Sequence, residues 1–234
     1  MLTALACALF ISLGRWQWSR GDYRTAQWSA FANASAPRAV TADLLDGIER
    51  YARVAVQGQY DVERQFLLDN ITQNGRAGYE VLTPLRLADG SAVLVDRGFV
   101  PGTGDRGRLP DVALPADSDS ADRAAADLHL LGRIGTLPVT GIAAGRRAPA
   151  GDGSWPRVAS FPTHDDLAAL LPYRLHSPVL LLDADSGPGF AREWRPPGLE
   201  PARHYAYAVQ WWAFAVLAVV LLIVLNFEKR TDRR

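Results

Sequence analysis

The feature that most constrains this chain is a run of 22 residues without a charge, Ala206–Phe227. As an α-helix rising ~1.5 Å per residue it would be about 33 Å long, enough to cross the ~30 Å hydrocarbon core of a bilayer. Aromatic residues crowd its start, where rings favour the headgroup level: Tyr205, Tyr207, Trp211 and Trp212. We therefore predict a transmembrane helix at residues 204–227 that begins at a membrane surface.

The charges that follow this helix predict its orientation. The tail at residues 228–234 contains four basic side chains, Lys229, Arg230, Arg233 and Arg234. Basic residues next to a span favour the cytoplasmic side of the membrane. We expect the C-terminus in the cytoplasm and the residues before 204 on the opposite side.

A second apolar segment, Met1–Leu13, precedes the charged, Trp-rich stretch Arg15–Trp18. Thirteen residues give only ~20 Å of helix, which is short for a span. Three interpretations stay open: a cleaved signal peptide, a tilted helix in locally thinned lipid, or the end of a longer helix that starts before residue 1. A signal peptide is disfavoured because no basic region precedes the segment. We favour a span whose helix continues to about residue 33, since Pro37 is the first proline.

The middle of the chain, residues 34–203, has the patterns of a β-rich domain. Alternating or β-branched runs predict strands at residues 51–60, 65–69, 79–87, 91–100, 128–134, 139–142 and 178–183. Asp89-Gly90 suits a tight hairpin turn, and Thr163–Asp166 suits a capping box before a short helix at 167–171. The predicted fold is thus an α+β membrane protein, with two transmembrane helices flanking a mainly antiparallel β extracytoplasmic domain.

Composition and missing motifs exclude several functions. The chain has 25 basic and 25 acidic residues, so its zero net charge argues against nucleic acid as a partner. Cys7 is the single cysteine, which excludes an internal disulfide. The sequence lacks a phosphate-binding loop, a nucleophile elbow and a His-x-x-x-His pair, so we expect no enzyme. We expect structural roles for His129 and His176, and exposure for His164.

Four motifs in one order resemble a known family. They are Leu13-Gly-Arg-Trp-Gln-Trp-Ser-Arg20, Gly58-Gln-Tyr60, Val93-Leu-Val-Asp-Arg-Gly-Phe-Val-Pro101 and His204-Tyr-Ala-Tyr207-Ala-Val-Gln-Trp211. Together they resemble the Surfeit locus protein 1 family, whose members are assembly factors for cytochrome c oxidase. The resemblance covers nearly the whole chain. Within the third motif we expect Arg97-Gly98 to be a structural loop at a strand end.

The resemblance implies a non-enzymatic protein of the bacterial plasma membrane, with both termini cytoplasmic. Its partners would be cytochrome c oxidase subunits and the lipid membrane, and its role would be haem A insertion or maturation of the oxidase core. The alternative is an accessory subunit that stays bound to the oxidase, or to a respiratory supercomplex, without contacting haem.

The family also implies a candidate site for transient binding of haem A. Its iron ligand would be the histidine of the second helix, here His204. The other candidate residues lie near the same membrane surface: Tyr207, Trp211, Trp16, Gln17 and Arg20. Aromatic rings suit a macrocycle, and Arg20 suits a propionate. The simpler alternative is that His204 only anchors the helix at the interface.

The predicted topology is testable with reporter fusions. A reporter that functions only in the cytoplasm should be active when it is fused after Arg234. A reporter that functions only outside the cytoplasm should be active when it is inserted at residues 118–120. The positive-inside rule gives both expectations. The opposite pattern of activities would show that the orientation is wrong.

Overall fold

The computed structural model describes residues 1–33, 35–105, 107–114, 127–138, 153–187 and 189–231, with side chains up to Phe227 in the last helix. The chain forms two compact units. Unit 1 contains Met1–Asn33 and Pro196–Arg234, and unit 2 contains Ala34–Arg195. A domain that is continuous in sequence therefore separates the two halves of the helical unit along the chain.

Unit 1 consists of two long helices. Helix α1 spans Leu2–Ala32, one residue short of the predicted end. The other long helix of this unit, α4, spans Pro201–Thr231 and begins three residues before the predicted start. Proline suits a first helical position because its missing N–H needs no partner there. Of the helices in the described part of the chain, one stretch, Pro201–Phe227, is long and apolar enough to cross a membrane. The span predicted for α1 stays a prediction.

The two helices of unit 1 pack antiparallel along a repeating seam. The covered positions of each helix follow heptad spacing: residues 7, 10, 14, 17, 21 and 24 in α1, and residues 201, 204, 208, 211, 215 and 218 in α4. The contacts run in opposite directions along the two chains, because Gly21 lies beside Tyr205 whereas Cys7 reaches the carbonyl oxygen of Ala215. Beyond Ala218, the described side chains of α4 are exposed on every face.

Unit 2 is built on one eight-stranded sheet. Its strands are β1 Arg38–Ala39, β2 Arg53–Tyr60, β3 Phe66–Gln73, β4 Arg76–Arg86, β5 Ala92–Pro101, β6 Leu128–Gly135, β7 Arg157–Ala159 and β8 Leu175–Leu182. In the described part of this unit, two short helices accompany them, α2 Ala42–Leu45 and α3 His164–Ala168. The sheet order is β1-β2-β6-β8-β5-β4-β3-β7, with an additional pairing of β2 with β4. That pairing closes β2, β6, β8, β5 and β4 into a barrel.

The barrel is filled by alternate side chains of its strands. One apolar cluster lies inside it, formed mainly by Val54, Val56, Leu85, Val93, Val95, Leu130, Ile134, Leu180 and Leu182. A second cluster covers the outer face of the sheet, where α3 contributes Leu167. Burial of these side chains is worth roughly 1.5–3 kcal/mol each and supplies most of the driving force for the fold.

The structure confirms most of the β prediction. The predicted hairpin forms between β4 and β5, and Gly90 has the positive φ of +83° that such a turn requires. The capping box is present, since the Thr163 hydroxyl accepts a bond from the backbone N–H of Asp166. Antiparallel pairing predominates, although three strand pairs are parallel: β1 with β2, β3 with β7 and β5 with β8. The strand predicted at 139–142 lies outside the described residues.

Two expectations for single residues are wrong. Arg97-Gly98 lies within β5 rather than in a loop at its end. His164 is partly covered, because its Nε2 atom is 3.0 Å from the carbonyl oxygen of Leu175. In both cases the residue is covered by a segment that lies close in space but outside its local sequence. A local sequence pattern does not show which segment that is.

Arg97 is a charged side chain of the barrel domain that is only 1% exposed. Its Nη1 atom donates to Oε1 of Gln65 at 2.9 Å and to the carbonyl oxygen of Val112 at 3.0 Å. Its guanidinium also lies 5.0 Å from the ring centre of Phe190. Burial lowers the pKa of Arg97 to about 10, so the side chain is still charged at neutral pH. Arg97 therefore ties three separate segments to β5.

His176 has a structural role, as predicted. It is 2% exposed and lies between two polar partners. Its Nδ1 atom is 2.9 Å from Asp46, and its Nε2 atom is 2.9 Å from the hydroxyl of Ser91. The backbone N–H of Ser177 donates to the same carboxylate, and these bonds lower the pKa of Asp46 although partial burial opposes them. This cluster fixes the residue after α2 to the start of β8.

The motif Gly58-Gln-Tyr60 has a steric explanation that can be tested. A Cβ on Gly58 would lie 2.3 Å from the carbonyl oxygen of Arg86, where β2 and β4 close the barrel. We expect Gly58→Ala to lower the free energy of unfolding by about 1–3 kcal/mol, because backbone must move. Urea unfolding of the purified protein, followed by circular dichroism, measures this change. Gly47→Ala is the control, since its Cβ would meet its nearest atom at 3.8 Å; equal stability of the two variants would contradict the closure argument.

Candidate functional site

His204 lies in the first turn of α4 and contacts the middle of α1. Its Nδ1 atom is 2.9 Å from Oε1 of Gln17, a residue 187 positions earlier in the chain. Both residues occupy the seam between the helices. The first and fourth sequence motifs are therefore joined by a specific hydrogen bond between the two helices.

The second ring nitrogen of His204 is the unusual atom of this contact. Because a carbonyl oxygen accepts the bond, Nδ1 donates its hydrogen, and Nε2 carries a free lone pair in the neutral ring. Nε2 is buried and has no hydrogen-bond partner within the described part of the chain. A buried acceptor left unpaired costs about 1–3 kcal/mol, so such an atom requires an explanation. An imidazole nitrogen with a free lone pair is also the commonest metal ligand in proteins.

Two glycines of α1 set the distance between the helices. A Cβ on Gly14 would lie 2.2 Å from Nε1 of Trp212, and one on Gly21 would lie 2.6 Å from the ring of Tyr205. The aromatic rings of α4 therefore occupy the space that side chains at these positions would need. Small residues at a helix interface permit this close approach.

Aromatic rings close one flank of the seam. The ring of Trp18 lies 4.8 Å from that of Tyr205 and 5.6 Å from that of Trp212, measured between centroids. The hydroxyl of Tyr205 donates to Asp22 at 2.8 Å and lies 3.1 Å from that of Thr25. These contacts fix the rotation of α4 about its axis, and with it the position of His204.

The other flank is open. At ~100° per residue, Trp16 and Arg20 lie on one side of Gln17 along α1, away from Trp18. Trp16 and Tyr207 are 56% and 45% exposed, and Arg20 is also exposed. The guanidinium of Arg20 lies 5.6 Å from the ring centre of Tyr23. This flank presents an aromatic and basic surface within one helical turn of Gln17 on α1 and of His204 on α4.

The six predicted site residues thus have different positions. Gln17 touches His204 directly, and Trp211 lies on the seam with its ring 5.8 Å from that of Phe10. The exposed three, Trp16, Arg20 and Tyr207, line the open flank. Three aromatic residues that hold the helices in register were not among the predicted site residues: Trp18, Tyr205 and Trp212. The spacing of seven residues between Gly14 and Gly21 indicates one packed face of a helix, and the contacts of these three residues could have been sought there.

The sequence of the chain matches a known protein family. The model of the SURF1 family matches residues 4–216, which include both helix motifs and the barrel between them. This chain belongs to the SURF1 family. The resemblance to the Surfeit locus protein 1 family that the four motifs indicated is therefore confirmed.

Curated SURF1-like relatives include proteins from two mycobacteria. The uncharacterized SURF1-like proteins of Mycobacterium bovis and Mycobacterium tuberculosis are each 29% identical to this chain over 192 residues. The matched region covers 79% of this chain and 63% of each relative. The chain thus spans less than two thirds of the length of these curated relatives.

The contact between the helices can be tested with cysteine pairs in a Cys7→Ala background. Cysteines at positions 17 and 208 should cross-link on oxidation, because both positions lie on the seam. Cysteines at Ser19 and Val209 are the matched control, since these residues are exposed on the outer sides of the same helices. Gel mobility after proteolytic cleavage between the helices measures the cross-link. A control pair that reacts as fast as the seam pair would show that the packing is wrong.

Proposed function

We propose that this SURF1-family protein assists the maturation of cytochrome c oxidase and binds haem A transiently through Nε2 of His204. Members of the SURF1 family are in general cytochrome oxidase assembly factors, which gives the broad role. The single observation that supports the haem step is the buried Nε2 atom of His204, which has no partner among the described residues and whose other ring nitrogen contacts Gln17. The role is one of binding and delivery and involves no catalysis.

The membrane arrangement that we propose is a hairpin of two spans. Helix α4 is apolar and long enough to cross the bilayer. The apolar start of α1 packs along it, with Phe10 against Phe214 and Cys7 against the backbone at Ala215. These contacts support the same membrane depth for Met1–Leu13 as for the apolar part of α4. Both termini are then cytoplasmic in a bacterial plasma membrane, and the barrel domain is extracytoplasmic.

The residues around His204 fit a porphyrin. When bound, haem would supply an iron that takes a nitrogen ligand. His204 would provide that nitrogen, and Gln17 contacts the imidazole ring. Trp16, Tyr207 and Trp211 offer aromatic surface for the macrocycle, and Arg20 offers a cation for charge-assisted hydrogen bonds to propionates.

Exposure of the open flank suits delivery rather than storage. A permanent cofactor site encloses most of its ligand, whereas Trp16 and Tyr207 are about half exposed. A partner subunit of the oxidase can therefore approach the same surface. This exposure supports transient binding followed by transfer.

The alternative is an accessory subunit bound to the oxidase or to a respiratory supercomplex. The observation that favours it is the exposed apolar stretch of α4 beyond Ala218, which another transmembrane helix would cover. Fixed stoichiometry with mature oxidase during purification, together with normal haem A content in strains without His204, would support this alternative.

Substitution of His204 separates the two functions. We expect His204→Ala to abolish the haem absorption spectrum of the protein purified from cells that make haem A, because the ligand is lost. The protein should still insert, because the change breaks one hydrogen bond, worth about 1 kcal/mol. His129→Ala is the control histidine, and it should keep the wild-type spectrum.

His204→Gln tests the same point in the cell. Glutamine keeps polarity at the interface but ligates iron poorly, so we expect reduced haem A content in the oxidase of this strain. Wild-type haem A content would overturn the ligand role of His204 and favour the accessory subunit.

A further inference from the structure

Gln17 is the one predicted site residue with a hydrogen bond to His204 among the described residues. Its Oε1 atom lies against Nδ1 of His204 at 2.9 Å, on the side of the ring opposite to Nε2. Gln17 therefore cannot contact a ligand bound at Nε2 unless this hydrogen bond breaks. Its partner in the structure is the histidine ring.

An acceptor at Nδ1 controls how an imidazole acts as a ligand. It keeps the hydrogen on Nδ1 and leaves the lone pair on Nε2, and it fixes the orientation of the ring. It also sets the donor strength of Nε2, since a charged carboxylate acceptor polarises the ring more strongly than a neutral carbonyl group does. A stronger donor binds iron more tightly and lowers its reduction potential.

The amide at this position contrasts with a carboxylate at an exposed position nearby. Exposed Asp22 of α1 accepts a hydrogen bond from the Tyr205 hydroxyl at 2.8 Å, one residue along α4 from His204. Helix α1 thus supplies a carboxylate acceptor outside the seam, to Tyr205, and a neutral amide acceptor within the seam, to His204.

We propose that Gln17 is a positioning residue that holds His204 in the Nδ1–H form and keeps its bond to haem iron weak enough for release. This inference rests on the proposed function of haem binding at His204. The hydrogen bond from Nδ1 to Gln17 leaves Nε2 of His204 ready to bind iron, which favours capture of haem. Because the amide of Gln17 is neutral, it keeps Nε2 a weaker donor to iron, which favours delivery.

The first test uses the haem-free full-length protein in lipid nanodiscs. Nitrogen-15 NMR of labelled histidine reports which ring nitrogen carries the hydrogen. The chain has four histidines, and His204→Ala assigns the signal of interest. We expect the Nδ1–H form in the wild type and loss of that preference in Gln17→Leu. A wild-type Nε2–H form, or an unchanged signal in Gln17→Leu, would overturn the positioning role.

The second test uses ferric haem A as the probe, with apomyoglobin as the acceptor in the transfer assay. We expect Gln17→Leu to weaken haem affinity about 10- to 100-fold, the usual effect of losing the partner of a metal-bound histidine. The nearly isosteric Gln17→Glu should instead bind more tightly, transfer haem more slowly and show a lower reduction potential. Gln210→Leu is the matched control, because Gln210 is an exposed glutamine of α4; it should behave as the wild type.

The outcomes separate this inference from the proposed function. A wild-type protein that binds no haem A would overturn both, whereas the NMR result would still decide whether Gln17 orients the ring. Wild-type binding with no difference among Gln17→Leu, Gln17→Glu and Gln210→Leu would overturn the inference and leave the function intact. Circular dichroism of each variant confirms that the helices are formed, so that a folding defect is not mistaken for lost binding.

Discussion

The close packing of α1 against α4 is the constraint on which the candidate site depends. Gly14 and Gly21 leave room for the rings of Trp212 and Tyr205, and these contacts set both the distance and the register of the helices. Van der Waals packing and interhelical hydrogen bonds are the interactions that join two helices when the hydrophobic effect is absent, as it would be in the membrane hairpin proposed above. The Gln17–His204 bond is one such hydrogen bond, and the register set by the glycines brings its two partners within reach.

The barrel domain depends on a different constraint, which is closure. Pairing of β2 with β4 removes the free edges that an open sheet of these strands would expose. Closure also creates an interior that apolar side chains fill, and Arg97 lies at the boundary between this interior and the neighbouring cluster around Val81 and Leu67. A charged side chain in this place ties the strand to Gln65 and to the segment at Val112, contacts that an apolar side chain does not make.

Sequence patterns predict the local elements of this protein well and its long-range contacts poorly. The Asp89-Gly90 turn, the Thr163 capping box and the length of α4 each follow from residues adjacent in the chain. The barrel does not, because β2 and β4 meet through residues such as Tyr60 and Leu85, and neither strand encodes its partner. For the site, the two helix segments that carry the candidate residues could be named from the sequence, and they are in contact in the structure. The pairing of His204 with Gln17 rather than Trp16 was not predictable, since it depends on the rotation of both helices.

The separation of the two site residues along the chain has a consequence for biosynthesis. Gln17 leaves the ribosome 187 residues before His204 does, and the whole barrel domain is translated between them. Domains generally fold as units during synthesis, so the barrel has time to form before α4 is complete. The hydrogen bond between Gln17 and His204 is then among the last contacts to form. The ligand site proposed at His204 would therefore be assembled only after the barrel domain has been made.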